Sequence, residues 1–562
     1  MEYDVKISGG TIVDGTGTPG VAGDVGIRSG KIVAIGRADG SATTTLDAAG
    51  CIVAPGFVDI HTHYDAQILW DRALTISPWH GVTTVVMGNC GFGVAPTRPA
   101  HRELILRTLE KVEGMSLEAL QTGLGHDWPF ETFPQYLDLI ERRGMAINVA
   151  VLIGHTPLRL YVMGEAATER PATDEEVAQM RALVREALDE GALGFATSKA
   201  PTHVGYGGRP VPSRAAELAE IQALAGALGE AGRGVVQTTV GRDLLFTELA
   251  AIAGETGRVV TWTALLAGLM GPGSHRAFQA QSAELVRQGL PVVPQVSCRP
   301  LNFEFQFKEP FVFESMSLFK AISEADFEGK MRIYRDPEFR RTFKAKAGLG
   351  GDGVFATRWD RTWISFCPTA PDLQERTVAE VARERNVDPV DLALDLALAS
   401  NLEARFRMAV LNDNEADVAE LLTDSNMVLG LSDAGAHASQ LCDACFSTYL
   451  LGYWVREKGV LGLKEAVRML SARPAEVMGI SDRGRLAAGM PADVVIFDPQ
   501  TVGASPLRRV YDLPAGADRL IADAQGIEAV IVNGQIIRRG GSGVAGAEAL
   551  LPGRLLRHGH AA

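Results

Sequence analysis

The 562-residue sequence is poor in several features, and each absence excludes a class of protein. Only six scattered cysteines occur, so we expect reduced thiols in a cytoplasmic protein rather than a disulfide framework. No apolar run approaches the roughly 18 residues of a membrane span. The polar, acidic start of the chain does not resemble a secretory signal. A net charge of −14 disfavours a nucleic-acid partner.

What the sequence does contain is an ordinary globular composition, 46% hydrophobic and 22% charged, in a chain long enough for two or three structural units. Both ends carry short β-prone runs separated by turns, including an Asn533-Gly534 hairpin turn. Neither end has enough apolar residues for a core of its own. We therefore predict that residues 1–54 and 480–562 combine into one small β-sandwich domain.

Residues 55–479 alternate short β-branched runs with helical stretches, a pattern typical of βα units and a parallel sheet. Eight such runs predict an α/β fold with a TIM-like (β/α)₈ barrel: residues 57–60, 82–87, 147–153, 193–198, 234–239, 259–263, 291–297 and 427–432. Between the seventh and eighth runs lies an insertion, residues 300–372, rich in aromatic and charged residues. We interpret it as a lid and substrate wall, or alternatively as a packing subdomain.

Two histidines end the first predicted strand. Residues i and i+2 of a strand point to the same side, so His61 and His63 present two imidazoles together. Such a pair forms half of a site for zinc or a similar divalent ion. A bare His-x-His is often only a surface pair, but its position after Pro55-Gly56 at a barrel mouth favours a metal site.

Two further strand ends carry potential ligands. Asp433 ends the eighth predicted strand, where it could bind a metal and accept a proton from metal-bound water; the alternative is a helix cap. Cys90 follows the second strand between Gly88 and Gly91, and its thiolate would be a zinc ligand. The alternative there is an inert buried cysteine.

Several motifs are similar to one known family. They are the glycine-rich opening at 9–17, the segment 55–65, the turn 88–91, the segment 154–159 and the segment 484–494. The chain resembles the amidohydrolase superfamily, and within it the D-aminoacylase branch, over nearly its whole length. The resemblance implies hydrolysis of amide-type C–N bonds with one or two divalent metals, most often zinc. It also implies ligand roles for His61, His63, Cys90 and Asp433, with Asp433 as general base.

The chain departs from that branch at strands five and six, each of which ends in a histidine there. Residues 235–239 and 259–264 contain none, so a conventional second metal site is incomplete. Lys199, after the fourth strand, is either a carboxylated lysine that bridges two metals or an ordinary lysine. His155 and His203 lie on the same predicted rim, as ligands or as groups that orient the substrate and polarise its carbonyl.

The remaining expectations concern substrate and assembly. Arg159, Arg214 and Arg299 lie near strand ends, and one of them could bind a substrate carboxylate; the alternative for each is a structural ion pair. Our first hypothesis is a hydrolase of N-acylated amino acids or similar small amides. The alternatives are a hydrolase of cyclic amides, imides, lactones or esters, and a non-catalytic amidohydrolase-like binding protein. A small-molecule substrate and a homo-oligomer are expected, without a membrane or nucleic-acid partner.

Overall fold

The two chain ends meet in one sheet. A computed structural model describes residues 2–205, 209–347, 357–543 and 550–561. Strand Ile52–Pro55 pairs with Tyr3–Ile12 on one side and with Val494–Phe497 on the other. The other strands of this nine-stranded sheet are Val21–Arg28, Lys31–Gly36, Ala42–Asp47, Ile527–Val532, Gln535–Arg539 and Ser542–Gly543. The sheet has its own apolar core.

The end of the chain leaves this sheet. Pro552 and Leu555 form parallel bridges with Met145 and Val149, beside the start of another sheet. The predicted range 480–562 therefore contains a tail that packs elsewhere. Two short strand pairs also extend from the C-terminal part: Gly503–Ala504 with Ala524–Gln525, and Arg508–Val510 with Arg519–Ile521.

A parallel sheet of eight strands follows in chain order. Its strands one to eight are Phe57–Asp59, Val82–Met87, Asn148–Gly154, Gly194–Ser198, Val235–Thr239, Val260–Thr263, Val292–Val296 and Val428–Leu429. Beyond strands one and eight, Thr62 bridges to Ala434, and the His63 N–H donates to the Ala434 carbonyl at 2.7 Å. All eight predicted runs correspond to these strands.

One side of this sheet encloses an apolar cluster that includes Val58, Val86, Ala150, Val235 and Val293. Since side chains alternate along a strand, the residues two positions further on point to the same side. This side therefore carries Gln237 near the carboxyl end of strand five and Gln295 near that of strand seven, next to the apolar cluster.

Helices cover the other side. Those of the first half are Arg102–Glu113, Leu117–Leu124, Phe133–Arg143, His155–Met163, Asp174–Asp189, Leu218–Ala231, Phe246–Thr256 and His275–Arg287. Those after the insertion are Glu415–Thr423, Phe446–Tyr449 and Leu463–Leu470, with a π-helical turn at Leu450–Glu457. Helix Ala472–Met478 instead contributes Ala475, Val477 and Met478 to the apolar cluster that the sheet encloses. Among the described residues, no helix is long and apolar enough to cross a membrane.

The insertion forms a unit with a separate core. Its antiparallel strands are Leu301–Gln306, Thr362–Phe366 and Arg405–Leu411, and its helices are Lys320–Ser323, Phe327–Arg335, Pro337–Lys346, Val378–Arg385 and Pro389–Ala399. The central strand, Arg405–Leu411, lies beyond the predicted end at residue 372. Residues 348–356 lie outside the described part of the chain. Most insertion phenylalanines pack against one another, as a packing subdomain requires, although Phe303 contacts His437 with ring centroids 5.8 Å apart.

Candidate metal centre

Three predicted ligands lie together at the carboxyl ends of the parallel strands. The ligand atoms of His61, His63 and Cys90 all lie within 4.8 Å of one another, and all three residues are buried. His61 Nε2 is 3.4 Å from Cys90 Sγ. The two imidazole centroids are 5.3 Å apart. The shared face predicted from the His-x-His spacing is therefore present.

Each histidine has a second residue close to its Nδ1. Gln295 Oε1 accepts a hydrogen bond from His61 Nδ1 at 2.8 Å, which leaves Nε2 free to bind a metal. His63 Nδ1 lies 3.3 Å from Glu113 Oε1. Glu113 is buried in the last turn of helix Arg102–Glu113, where the helix dipole disfavours a carboxylate. A carboxylate held in that position points to a functional constraint.

Asp433 joins this group from beyond strand eight. Its Oδ1 lies 3.2 Å from His61 Nε2 and 3.8 Å from His63 Nε2. The backbone around it is strained, since Leu431, Asp433 and His437 all have positive φ angles of 62°, 46° and 49°. Cys90 is held in the same left-handed region at φ 56°. Strain of this kind clusters at functional sites.

The charges in this cluster shift the pKa values of Cys90, Asp433 and His63. Burial opposes ionisation of Cys90, but His61 and His63 lower the pKa of its thiol to about 6. Burial likewise opposes ionisation of Asp433, yet the same imidazoles hold its pKa well below the usual range. The pKa of His63 lies well above its ordinary value, because Glu113, Asp433 and Cys90 outweigh its burial.

This donor set fits a divalent metal. Two imidazole nitrogens, one thiolate and one carboxylate oxygen form a combination that zinc binds in four-coordinate sites. A metal ion binds such ligands in their deprotonated forms, and its positive charge would offset the thiolate and the carboxylate. The residues present therefore suit the group that the resemblance implies.

His203 lies at the rim of the same site, as predicted. Its Nδ1 is 2.7 Å from Ser198 Oγ, and its ring is 5.1 Å from that of Phe92. Burial, together with the neighbouring imidazoles of His63 and His437, lowers the pKa of His203 to about 3. Both effects favour the neutral form of the His203 imidazole.

His155 and Arg159 do not join the site, which corrects the expectation for both. His155 Nδ1 bonds Thr197 Oγ1 and its Nε2 bonds Glu220 Oε1, each at 2.8 Å. Arg159 Nη1 donates to the same Glu220 oxygen at 2.6 Å. All three ionisable side chains are buried between the parallel sheet and helix Leu218–Ala231. Neither a polarising role for His155 nor carboxylate binding by Arg159 fits this arrangement.

Lys199 and Arg299 also have other partners. Lys199 Nζ donates to the carbonyls of Arg214 and Ala216 at 2.8 and 2.7 Å, and it is not part of the ligand cluster. A bridging carbamate at Lys199 is therefore not supported. Arg299 Nε donates to Asp443 Oδ1 at 2.6 Å in a buried ion pair, which is the structural alternative for this residue.

Three features of the site were missed in the sequence. Glu113 comes from a helix and His437 from a loop, so neither belongs to a strand-end pattern. Gln237 and Gln295 lie on inward strand positions, but a lone glutamine there carries no motif. The sequence indicates these two glutamines only by their position two residues after Val235 and Val293, which places them on the same side of each strand.

A model of the amidohydrolase family matches residues 44–538. The chain belongs to this family, in its D-aminoacylase branch. It is accordingly a hydrolase that acts on carbon–nitrogen bonds other than peptide bonds, as the resemblance implied.

Individual relatives match over almost the whole chain. The D-aminoacylase of Alcaligenes xylosoxydans xylosoxydans is 30% identical over 538 residues, which cover 95% of this chain and 94% of that protein. A solved D-aminoacylase superimposes with a TM-score of 0.68 at 26% identity, covering 99% of this chain and 100% of the other. That structure was studied for the functional role of its binuclear metal centre, with one-metal activation and second-metal attenuation.

A third similar protein is the N-acyl-D-glutamate deacylase of Bordetella bronchiseptica. It was solved with zinc and a phosphonate inhibitor that mimics the tetrahedral intermediate. Its TM-score is 0.65 at 27% identity, with 99% of this chain and 100% of that chain covered. A divalent metal is thus a feature of the solved relatives.

Proposed function

We propose that the protein hydrolyses the amide bond of an N-acylated D-amino acid, at a metal site in the mouth of a closed (β/α)₈ barrel. The observation that carries this proposal is the group His61, His63 and Cys90, with Asp433 Oδ1 3.2 Å from His61 Nε2. The deacylase relatives support the substrate class, since three of them act on N-acyl-D-amino acids by name.

Asp433 is the general base and acid in this proposal. A divalent ion held by His61, His63 and Cys90 supplies charge that acidifies a bound water and polarises a carbonyl. Asp433 accepts the proton of the attacking water and delivers it to the leaving nitrogen. One water is consumed, the acyl C–N bond breaks, and the products are a carboxylate and an amine.

We propose one ion per chain, most often zinc. In this chain strands Val235–Thr239 and Val260–Thr263 contain no histidine, so the second site that the resemblance implies is incomplete. Lys199 bonds two backbone carbonyls rather than the ligand cluster. The one-metal activation described for the solved D-aminoacylase is consistent with a single ion.

The test is a substrate panel on zinc-loaded protein. We expect turnover of N-acyl-D-amino acids and little or none of the matched L-series, cyclic imides or aryl esters. Asp433→Asn should lose about 10²–10⁴-fold in kcat, because proton transfer contributes that much, while it keeps most of its zinc. Full activity of Asp433→Asn, or turnover of cyclic imides alone, would overturn the assignment.

A further inference from the structure

Gln237 lies beside the ligand cluster and has no role in the mechanism above. It is fully buried on strand five, two residues beyond Val235 of the apolar cluster, and so on the same inward side. Its Oε1 accepts a hydrogen bond from the Cys90 backbone N–H at 2.7 Å. Because a backbone N–H can only donate, this bond determines which end of the amide is oxygen.

The other end of the Gln237 amide, Nε2, is therefore the hydrogen-bond donor. Gln237 Nε2 is buried and has no hydrogen-bond partner among the described residues. A buried donor without a partner is unfavourable by about 1–3 kcal/mol. Native proteins keep few such groups, and a functional role is a common reason for keeping one.

Gln295 provides an internal comparison. It occupies the equivalent inward position on strand seven, two residues beyond Val293. Both ends of its amide are bonded: Oε1 accepts from His61 Nδ1 at 2.8 Å, and Nε2 donates to Thr261 Oγ1 at 3.2 Å. The free donor is thus particular to Gln237 among these two glutamines.

Gln237 and Asp433 contact different members of the ligand cluster. Asp433 contacts the histidines, whereas Gln237 contacts Cys90. A carbonyl bound between them would meet the base on one side and an N–H donor on the other. That arrangement suits attack by water at the carbon while the carbonyl oxygen gains charge.

We propose that Gln237 Nε2 donates a hydrogen bond to the acyl oxygen of the substrate as that oxygen becomes negative. When water adds to the carbonyl carbon, the electron pair of the C=O bond moves to this oxygen and the amide N–H stabilises it. When the C–N bond breaks, the pair returns and the hydrogen bond weakens. Gln237 transfers no proton. This role rests on the proposed function.

Two variants test the proposal in the zinc-loaded full chain. Gln237→Glu keeps an oxygen acceptor for the Cys90 N–H and loses the amide donor, whereas Gln237→Met has a similar length and neither group. We expect both to bind zinc like the wild type and to lose about 10²–10³-fold in kcat/KM, the usual effect of removing one oxyanion donor. The loss should appear mainly in kcat.

The second readout is affinity for a phosphonate in which tetrahedral phosphorus replaces the scissile carbonyl carbon of the best substrate, measured by calorimetry. Its affinity should fall by the same factor as kcat/KM in both variants. Lys199→Met, on the same rim but outside the cluster, should leave zinc content, turnover and phosphonate affinity unchanged.

Three outcomes would overturn this role. Near-wild-type kcat and phosphonate affinity in Gln237→Glu would show that no donor is needed. Zinc loss from Gln237→Glu would show that the residue acts only through Cys90. A wild-type protein that binds zinc but hydrolyses no N-acyl-amino acid would refute the proposed function itself, and this role with it.

Discussion

At the scale of single residues, Glu113 determines the basicity of one ligand. It lies 3.3 Å from His63 Nδ1 and helps to raise the pKa of that imidazole well above its ordinary value. His61, in contrast, has the neutral Gln295 as its partner. We therefore expect the two histidines to bind a metal with different strengths, with Glu113 as the cause of the difference.

Replacing Glu113 should weaken metal binding without changing the ligands themselves. We expect Glu113→Gln to raise the Kd for zinc about 10–100-fold, the usual effect of losing a partner of a ligand histidine. Competition with a chromophoric chelator measures this. Glu103→Gln, on the same helix at an exposed pair with Arg107, is the control and should bind zinc normally. Equal affinity in both variants would contradict the role of Glu113.

The residues that could be predicted are those that follow a strand closely. His61, His63, Cys90, His203 and Asp433 were found because strand ends face one mouth. His155 begins helix His155–Met163 and its ring bonds Thr197 and Glu220, partners that no strand-end pattern could predict. Glu113 could not be predicted, since its helix reaches the mouth only in the folded chain.

At the scale of elements, the buried group of His155, Arg159 and Glu220 joins two helices. Helix His155–Met163 supplies His155 and Arg159, and helix Leu218–Ala231 supplies the Glu220 carboxylate. The bonds to His155 and Arg159 lower the pKa of Glu220 despite its burial. This group holds the helices together and has no contact with the ligand cluster.

Its removal should therefore affect stability and leave the site intact. We expect Glu220→Gln to lower the free energy of unfolding by about 3–5 kcal/mol, because Arg159 loses its buried charge partner. Urea denaturation measures this, and zinc content and kcat per folded molecule should stay unchanged. Glu230→Gln, in an exposed pair with Arg181, should change stability by less than about 1 kcal/mol. If Glu220→Gln lost zinc while its stability stayed normal, the result would instead support a role for His155 in the metal site.

Most of the elements could be predicted, because period-two runs and turn residues are local signals. All eight parallel strands were found from such runs. The end of the insertion was not, since strand Arg405–Leu411 pairs with Leu301–Gln306 across about a hundred residues of intervening chain. Pairing over that distance leaves no local pattern in the sequence.

At the scale of the whole molecule, distant parts of the chain converge on one mouth. The ligands come from the first third of the chain, Asp433 and His437 from the last third, and Phe303 of the insertion contacts His437. The sheet formed by both chain ends pairs Ile52–Pro55 with Val494–Phe497. Ile52–Pro55 leads directly into strand one, and so helps to fix the position of His61 and His63.

The most direct test of this account is the metal content per chain. Protein purified without chelators or a histidine tag should contain about one equivalent of divalent metal by plasma mass spectrometry. His61→Ala should lose it, and Lys199→Met should retain it. Two equivalents in the wild type would contradict the single-ion site. No metal, with none taken up after addition of zinc, manganese or cobalt, would contradict the hydrolytic mechanism and favour a binding protein instead.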